Sequence, residues 1–147
     1  SGENVGDINV TYSKLKSIKI KASLSPYLID EYPILSIAAS QAKGVTVMRG
    51  LSELRHKESD RIKSMEEGLK SIGIDVNSTE DSIEITGGKI LGGKIKSYGD
   101  HRIAMSFAVA GLVAQKSITI INTKNIATSF PTFISLLREQ GAEIFEV

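Results

Sequence analysis

Two short charged clusters contain the residue types of this chain that are best suited to catalysis. The first is Lys-Glu-Ser-Asp-Arg at 57–61, and the second is Asp-His-Arg at 100–102, directly before the uncharged run 103–114. In both clusters cations lie where a helix is predicted to begin, and a helix start already presents unpaired N–H groups and the positive end of the helix dipole. We therefore expect a bound phosphate or carboxylate to offset this charge.

Glu58 is the first candidate for acid–base chemistry. On a helix predicted over about 57–72, it lies one turn before an apolar stripe and on the same line. The stripe consists of Ile62, Met65, Leu69 and Ile72. A carboxylate at this place acts either as a cap of the helix or in proton transfer. Because the cations Lys57 and Arg61 flank it, the sequence favours proton transfer beside an anionic substrate.

The second cluster combines a predicted cap with two predicted binding residues. Asp100 is a suitable N-cap for the helix 100–114. A lone histidine is most often a surface or satisfied residue, but the adjoining Arg102 at a helix start favours a binding role for His101. The other histidine is His56, and the two histidines lack carboxylates at ligand spacing, so no metal site is predicted.

Two other helix starts carry polar residues that have structural explanations. Asp30 and Glu31 precede Pro33 at the start of an apolar helix, where acids complement the dipole. Ser129 is predicted to cap a last helix whose first turn contains Pro131. From position alone, these residues are interpreted as structural.

The elements that must position these residues follow a repeating order. An alternating pattern over 7–22 predicts an edge strand, and a helix bracketed at its start by Pro26 and Pro33 runs to about Ala42. Further strands and helices are predicted from periodicity, Gly and Pro. The strands are 45–49, 74–76, 83–85, 94–97, 118–121 and 143–147, and the helices are 57–72, 100–114 and 130–140.

Short strings recur in this order and predict a duplication. Residues 43–47 resemble 116–120, and 73–76 resemble 141–144. We predict an α/β (α+β) fold of two βαβαβ(β) units, about 18–87 and 88–147, with helices packed on mixed sheets. Right-handed crossovers place strand-to-helix loops at one sheet edge, so the charged helix starts are expected to share an edge.

Composition excludes several classes of function. The 147 residues are 41% hydrophobic and 24% charged, which is enough for one buried core. The net charge of +1 gives no field that favours nucleic acid or an acidic membrane surface. The absence of cysteine excludes disulfides and a Cys nucleophile. No uncharged stretch is long enough to span a bilayer and no leader is recognised, so a cytoplasmic location is expected.

Four motifs, in this order and spacing, resemble the 5-enolpyruvylshikimate-3-phosphate synthase family from about Asp7 onward. They lie at 28–33, 53–61, 99–105 and 128–131, and the second and third distinguish the chain from UDP-N-acetylglucosamine enolpyruvyl transferases of the same fold. The resemblance implies a transferase of the shikimate pathway, which leads to chorismate and aromatic amino acids. Such an enzyme transfers the enolpyruvyl group of phosphoenolpyruvate to shikimate 3-phosphate and releases phosphate, without a metal or organic cofactor.

The resemblance also implies roles for individual residues. Asp30 and Glu58 correspond to the catalytic carboxylates: the first contacts the shikimate hydroxyls and accepts a proton, and the second exchanges a proton with the enolpyruvyl methylene carbon. Lysine 57 corresponds to a contact with shikimate 3-phosphate, and the two arginines correspond to clamps on phosphoenolpyruvate. The implied substrate-binding set is Lys57, Arg61, His101 and Arg102.

The chain also departs from the family pattern. Gly99 stands where many relatives have Asn, and Thr128 stands where many have a Lys that contacts phosphoenolpyruvate. Full-length members have two similar domains with the active site between them, and their N-terminal signatures are missing here. We therefore expect 1–147 to be part of the C-terminal domain, with the N-terminal domain absent, and the isolated chain to be inactive.

Two other readings stay open from the sequence. One is a split βαβ module that binds RNA or a protein partner, although neutral charge and 5% aromatic residues argue against RNA. The other is a structural fragment that binds no ligand.

Overall fold

The computed structural model describes residue 2 and residues 5–146, and its short strands and helices lie between Lys19 and Glu139. The strands are β1 (Lys19–Ile20), β2 (Val45–Arg49), β3 (Val76–Ser78), β4 (Ser82–Thr86), β5 (Gly93–Lys96) and β6 (Ile118–Ile121). The α-helices are α1 (Ser25–Leu28), α2 (Tyr32–Ser40), α3 (Arg61–Ser71), α4 (His101–Gly111), α5 (Ile126–Ser129) and α6 (Phe133–Glu139). Single 3-10 turns lie at Ala22–Leu24, Ile29–Glu31 and Ser52–His56. Within the described ranges, no helix is both long and apolar enough to cross a membrane.

The strands form two separate sheets. The first has the order β1-β2-β4-β3, in which β1 is parallel to β2 and the other neighbours are antiparallel. The second consists of β5 parallel to β6, and α4 makes the crossover between them. Parallel neighbours require a crossover, and α1 and α2 provide it for the first pair. The predicted α/β fold with helices and mixed sheets is confirmed.

The core lies between the helices α2, α3 and α4 and the sheets. On α3, Ile62, Met65 and Leu69 are each at most 2% exposed, as the stripe predicted. On α4, Ile103 and Phe107 are fully buried and pack into the same cluster. These two helices therefore have fixed positions, and their first residues lie at a defined place on the rim of the core.

The N-terminal prediction of a strand over 7–22 is wrong for most of its length. Only Lys19–Ile20 pairs with β2, together with one isolated bridge between Lys16 and Lys43. The apolar side chains before it remain exposed, with Ile8 and Tyr12 at 89% and 88%. An alternating pattern forms a strand only where a second strand pairs with it. Before Lys19, the described residues provide no such strand beyond the single bridge from Lys16 to Lys43.

The start of α3 also differs from the prediction. The helix begins at Arg61, and Asp60 is its N-cap through a hydrogen bond from the Lys63 amide to its side chain. Residues 57–60 are a loop, so Glu58 does not continue the apolar stripe of the helix. Asp competes for backbone N–H groups and therefore stops helix propagation at a cap position.

The C-terminal elements are shorter than predicted. Ser129 ends α5, and Thr132 occupies the N-cap position of α6 without a side-chain cap bond. Phe130 between them has the extended φ of −141° that a residue before proline favours. The predicted cap at Ser129 is therefore wrong. Residues 143–146 form no strand, and Val147 lies outside the described residues.

Candidate active site

Arg61, the first residue of α3, joins three segments that are far apart in the chain. Its side chain is only 3% exposed. Its Nε donates to Asp100 Oδ2 at 2.8 Å, and one terminal nitrogen donates to Asp30 Oδ1 at 2.9 Å. The other terminal nitrogen lies 3.6 Å from Glu58 Oε2. The guanidinium fork thus connects the 3-10 turn Ile29–Glu31, the loop 57–60 and the start of α4.

Asp100 is fully buried and has two structural tasks. Its Oδ1 accepts from the backbone amides of Arg102 at 2.9 Å and Ile103 at 3.4 Å, which caps α4 as predicted. Its Oδ2 accepts from Arg61 and, at 3.1 Å, from the Ser59 hydroxyl. Burial alone would raise the pKa of Asp100, but the Arg61 bond and charge and the helix amides hold it below its ordinary value.

Arg102 and Arg61 meet at Asp30. The Arg102 guanidinium donates to the Asp30 carbonyl at 2.9 Å and to Glu31 Oε1 at 3.2 Å, and its other terminal nitrogen lies 3.6 Å from Asp30 Oδ2. Its side chain is 32% exposed, so solvent and solutes reach it. The prediction that these charged helix starts share one edge is confirmed for α3, α4 and the turn before α2.

His101 holds Glu58 at the open side of this cluster. The distance from His101 Nδ1 to Glu58 Oε2 is 2.9 Å. The imidazole is 15% exposed and the carboxylate is 48% exposed. A hydrogen bond at this distance fixes the orientation of both groups. The carboxylate therefore has an anchored position and remains accessible.

Lys57 is close in sequence to this cluster but is paired elsewhere. Its Nζ lies 2.6 Å from Glu53 Oε1, on the 3-10 turn Ser52–His56. Five of the six predicted site residues are thus in direct contact with another member of the set, and Lys57 is joined through the backbone. The connected five are Asp30, Glu58, Arg61, His101 and Arg102.

The structure shows a second way to offset the charge at the helix starts, besides the bound anion that the sequence predicts. Carboxylates of the protein itself already offset the cations at the helix starts. Arg61 has Asp100, Arg102 has Glu31, and Lys57 has Glu53. An incoming anion must therefore compete with these carboxylates rather than fill an empty positive site.

Sequence reasoning missed one residue and one ion pair of this network. Asp60 caps α3, and its place directly before the helix was a usable signal. The pairing of Asp100 with Arg61 spans 39 positions, and no local pattern indicates it. The cap role of Asp100 was predicted correctly, but its ion pair was not.

The turn before α4 accounts for one departure from the family pattern. Gly99 has a φ of 77°, a left-handed conformation that Gly and Asn both tolerate. The Asn125 side-chain amide donates to the Gly99 carbonyl and ties the turn to α5. On α5, the Thr128 hydroxyl donates to the Asn125 carbonyl at 2.8 Å. Thr128 therefore lies on a helix that is fixed beside the candidate site.

Glu58, Asp100 and His101 each offer a possible metal-ligand atom, and these atoms lie within 4.8 Å of one another. Both oxygens of Asp100 are already used, by Arg61 and by the amides of α4. A divalent cation would also meet the Arg61 guanidinium, which repels it. The donor set is therefore poorly suited to a metal ion.

The comparisons with known proteins show the family of this chain. The family model described as EPSP synthase (3-phosphoshikimate 1-carboxyvinyltransferase) matches residues 1–137. The chain belongs to the EPSP synthase family. The alternative of an RNA- or protein-binding module finds no support in these matches.

Relatives within the EPSP synthase family are similar along most of this chain. A 3-phosphoshikimate 1-carboxyvinyltransferase of Legionella pneumophila (strain Paris) is 52% identical over 133 residues, which is 90% of this chain and 31% of the relative. A 3-phosphoshikimate 1-carboxyvinyltransferase of Zymomonas mobilis is 51% identical over 149 residues, which is 97% of this chain and 33% of the relative. The chain thus spans about a third of the length of the curated relatives it matches.

Solved structures give the same result for the fold. An EPSP synthase from Acinetobacter baumannii superposes with a TM-score of 0.82 at 50% identity, covering 86% of this chain and 30% of that chain. The enolpyruvyl transferase NikO from Streptomyces tendae has a TM-score of 0.60 at 21% identity. The match covers 78% of this chain and 25% of NikO. The second likeness shows the fold alone.

Proposed function

We propose that this chain supplies part of the active site of a 3-phosphoshikimate 1-carboxyvinyltransferase. The reaction transfers the enolpyruvyl group of phosphoenolpyruvate to shikimate 3-phosphate and releases phosphate. The observation that supports it is the convergence of Asp30, Glu58, His101 and Arg102 around Arg61, from three separate segments. Membership of the EPSP synthase family supplies the reaction.

Substrate binding in this proposal uses the accessible cations. Arg102 presents a planar fork that matches a phosphate or carboxylate, and its exposed bond to Glu31 is exchangeable. Lys57, similarly paired with an exposed Glu53, is assigned to shikimate 3-phosphate. Arg61 is too buried to bind a ligand with its whole fork. In this proposal Arg61 offers the ligand only the terminal nitrogen beside Glu58. That nitrogen has the longest of the three contacts, 3.6 Å from Glu58 Oε2.

Proton transfer is assigned to the two carboxylates. Glu58 in its acid form protonates C3 of phosphoenolpyruvate, while Asp30 accepts the proton of the attacking shikimate hydroxyl as oxygen bonds to C2. In the second step Glu58 takes a proton back from the methyl carbon and the C2–C3 double bond re-forms. The C2–O bond to phosphate breaks, and phosphate leaves with the bonding electrons and the proton that Asp30 accepted. Positioned acid–base groups of this kind contribute about 10²- to 10⁴-fold to rate.

The rest of the site is assigned to parts of a longer polypeptide. In this proposal the chain corresponds to two units, about 18–87 and 88–147, of the C-terminal domain, and an N-terminal domain closes over the substrates. The basis is that the chain matches about a third of its relatives, 31% in the L. pneumophila protein. We predict that the isolated chain does not release phosphate from the substrate pair above background.

A chimera tests the proposed function directly. The matching 133 residues of the L. pneumophila relative are replaced by those of this chain, and phosphate release from phosphoenolpyruvate and shikimate 3-phosphate is measured. We expect turnover, and a loss of at least about 10²-fold in kcat for Glu58→Gln and Asp30→Asn. The matched control is Glu84→Gln, an exposed carboxylate on β4. A folded chimera in which all three variants keep full activity would contradict the assignment.

A further inference from the structure

Arg55 links the loop 57–60 to the turn between β3 and β4. One terminal nitrogen donates to Asp60 Oδ2 at 2.8 Å, and the other donates to the Thr79 carbonyl at 2.5 Å. Its Nε donates to the Glu80 carbonyl at 2.9 Å. The side chain is only 18% exposed. All three nitrogens of the guanidinium are therefore committed to protein acceptors.

The turn that receives Arg55 is itself well anchored. The hydroxyls of Thr79 and Ser82 lie 2.7 Å apart, and the Thr79 amide donates to the Ser82 carbonyl at 2.9 Å. Asp81 accepts from the Ser52 amide at 2.9 Å through its side chain and from the Gly50 amide at 3.0 Å through its carbonyl. The turn thus fixes both the beginning of the 3-10 segment and, through Arg55, the end of the loop.

Asp60 receives Arg55 on one oxygen and caps α3 with the other. Its Oδ1 accepts from the Lys63 amide at 2.9 Å, while Oδ2 accepts from Arg55. One residue earlier, the Ser59 hydroxyl donates to Asp100 at 3.1 Å. Glu58 therefore precedes two consecutive anchored residues, one held by Arg55 and one held by the start of α4.

We propose that Arg55 is a positioning residue, which holds the loop 57–60 so that the Glu58 carboxylate stays in place for proton transfer. This inference rests on the proposed function. Arg55 acts through Asp60 and the loop backbone and does not touch the substrate. A displacement of about 1 Å at a reacting group can cost about 10²-fold in rate, so a small relaxation of this loop is sufficient to lower kcat.

The geometry requires arginine rather than any cation. The fork reaches two carbonyls and one carboxylate at the same time, and a lysine ammonium has one nitrogen with which to do so. Arg55→Lys should therefore keep the charge beside Asp60 but release the turn. Its kcat should lie between those of the wild type and Arg55→Gln.

Kinetics of the chimera test this role. We expect kcat to fall about 10-fold or more in Arg55→Gln and in Asp60→Asn, with KM for phosphoenolpyruvate nearly unchanged. Asn retains the acceptor that caps α3, so Asp60→Asn removes mainly the bond to Arg55. Because Arg55→Gln already removes the bond to Asp60 that Asp60→Asn weakens, the double variant should be no slower than the slower single variant. The control is Lys63→Gln, whose exposed partner Glu67 lies 3.9 Å away.

Hydrogen exchange separates positioning from general stability. In the 147-residue chain, the Lys63 and Ser64 amides donate to Asp60, and they should exchange about 10-fold faster in Arg55→Gln, while amides of β2 and α4 keep their protection. Unchanged exchange at the Lys63 and Ser64 amides would overturn the inference whether or not the chimera is active. A kcat equal to that of the wild type, measured well below the melting temperature, would overturn it as well. A wild-type chimera without turnover would instead count against the proposed function. Hydrogen exchange would still show whether Arg55 anchors the loop 57–60.

Discussion

At the scale of single residues, the central side chain of the site has a different task from the one its motif suggests. Arg61 was expected to present its charge to a ligand, and it is instead buried against Asp100. A buried guanidinium without a partner is costly by several kcal/mol, so this ion pair is a condition for α3 and α4 to start side by side. Burial lowers and the carboxylates raise the pKa of Arg61, and the net change is upward.

The first prediction concerns this pair. Asp100→Asn should destabilise the chain by roughly 3 to 5 kcal/mol, because it leaves the buried Arg61 without its closest counter-charge while Asn still caps α4. Urea unfolding followed by circular dichroism measures the change. Asp7→Asn, an exposed carboxylate in the N-terminal segment, is the matched control and should change stability by less than about 0.5 kcal/mol. Equal stability of both variants would contradict the structural role of the pair.

The difference in stability between the wild type and Asp100→Asn should depend on pH, because the pKa of Asp100 is lowered in the folded chain. In the unfolded chain the carboxyl titrates near its ordinary value of about 3.9, and in the folded chain it titrates lower. The stabilisation is therefore complete above about pH 4 to 5 and is lost as the pH falls through the folded pKa. The gap between wild type and Asp100→Asn should shrink over this acid range in urea titrations, and a constant gap down to about pH 2 would be contrary to it.

At the scale of elements, the site depends on how closely α3 and α4 approach. Gly68 on α3 faces the ring of Phe107 on α4, and a Cβ built at this glycine would lie 2.3 Å from the ring. Glycine at this place allows the two helices to pack closely enough for Arg61 to reach Asp100. The exposed Gly111 at the end of α4 has no atom within 4 Å of a built Cβ.

The second prediction uses this pair of glycines. Gly68→Ala should cost roughly 1 to 3 kcal/mol through overpacking, although alanine is the better helix former by about 1 kcal/mol. Gly111→Ala should be neutral or slightly stabilising, since it has the propensity gain without the clash. Thermal unfolding compares the two, and adding Phe107→Leu should restore part of the loss in the first. A Gly68→Ala variant with the melting temperature of the wild type would show that the helices do not pack as described.

At the scale of the whole molecule, the chain contains a set of cations that are already paired with its own carboxylates. The exchangeable pairs are the exposed ones, above all Arg102 with Glu31. A small anion must displace these carboxylates from their arginine and lysine partners. An exposed ion pair of this kind, formed in water, contributes only about 0 to 1 kcal/mol of stabilisation. The gain from binding is therefore small unless further groups of a longer polypeptide surround the ligand.

The third prediction is weak anion binding by the isolated chain. Phosphoenolpyruvate should shift the NMR signals of Arg102 and His101 only at millimolar concentration, and the shifts should decrease at high salt because the contacts are exposed. Arg102→Gln should remove the effect, and Lys70→Gln, an exposed lysine far along α3, should not. Unchanged signals at several millimolar ligand would contradict a binding role for this surface.

Features that depend on neighbours along the chain could be predicted from the sequence. The strands Val45–Arg49 and Ile118–Ile121, the apolar stripe of α3 and the cap at Asp100 are set by local periodicity and short side chains at helix ends. The motifs at 57–61 and 100–102 were also sufficient to indicate the family, which the comparisons then showed.

Which charged side chains pair with one another depends on the packed fold. Nothing near Arg61 in the sequence indicates that its partner is Asp100, or that Arg55 holds Asp60 to a turn between two strands. The packed fold also decided that the alternating segment before Lys19 forms no strand, since a strand exists only with a partner. A periodic pattern of apolar residues predicts which face of a helix or strand is buried. Ion pairs and strand pairing depend instead on which distant segments the packed core brings together.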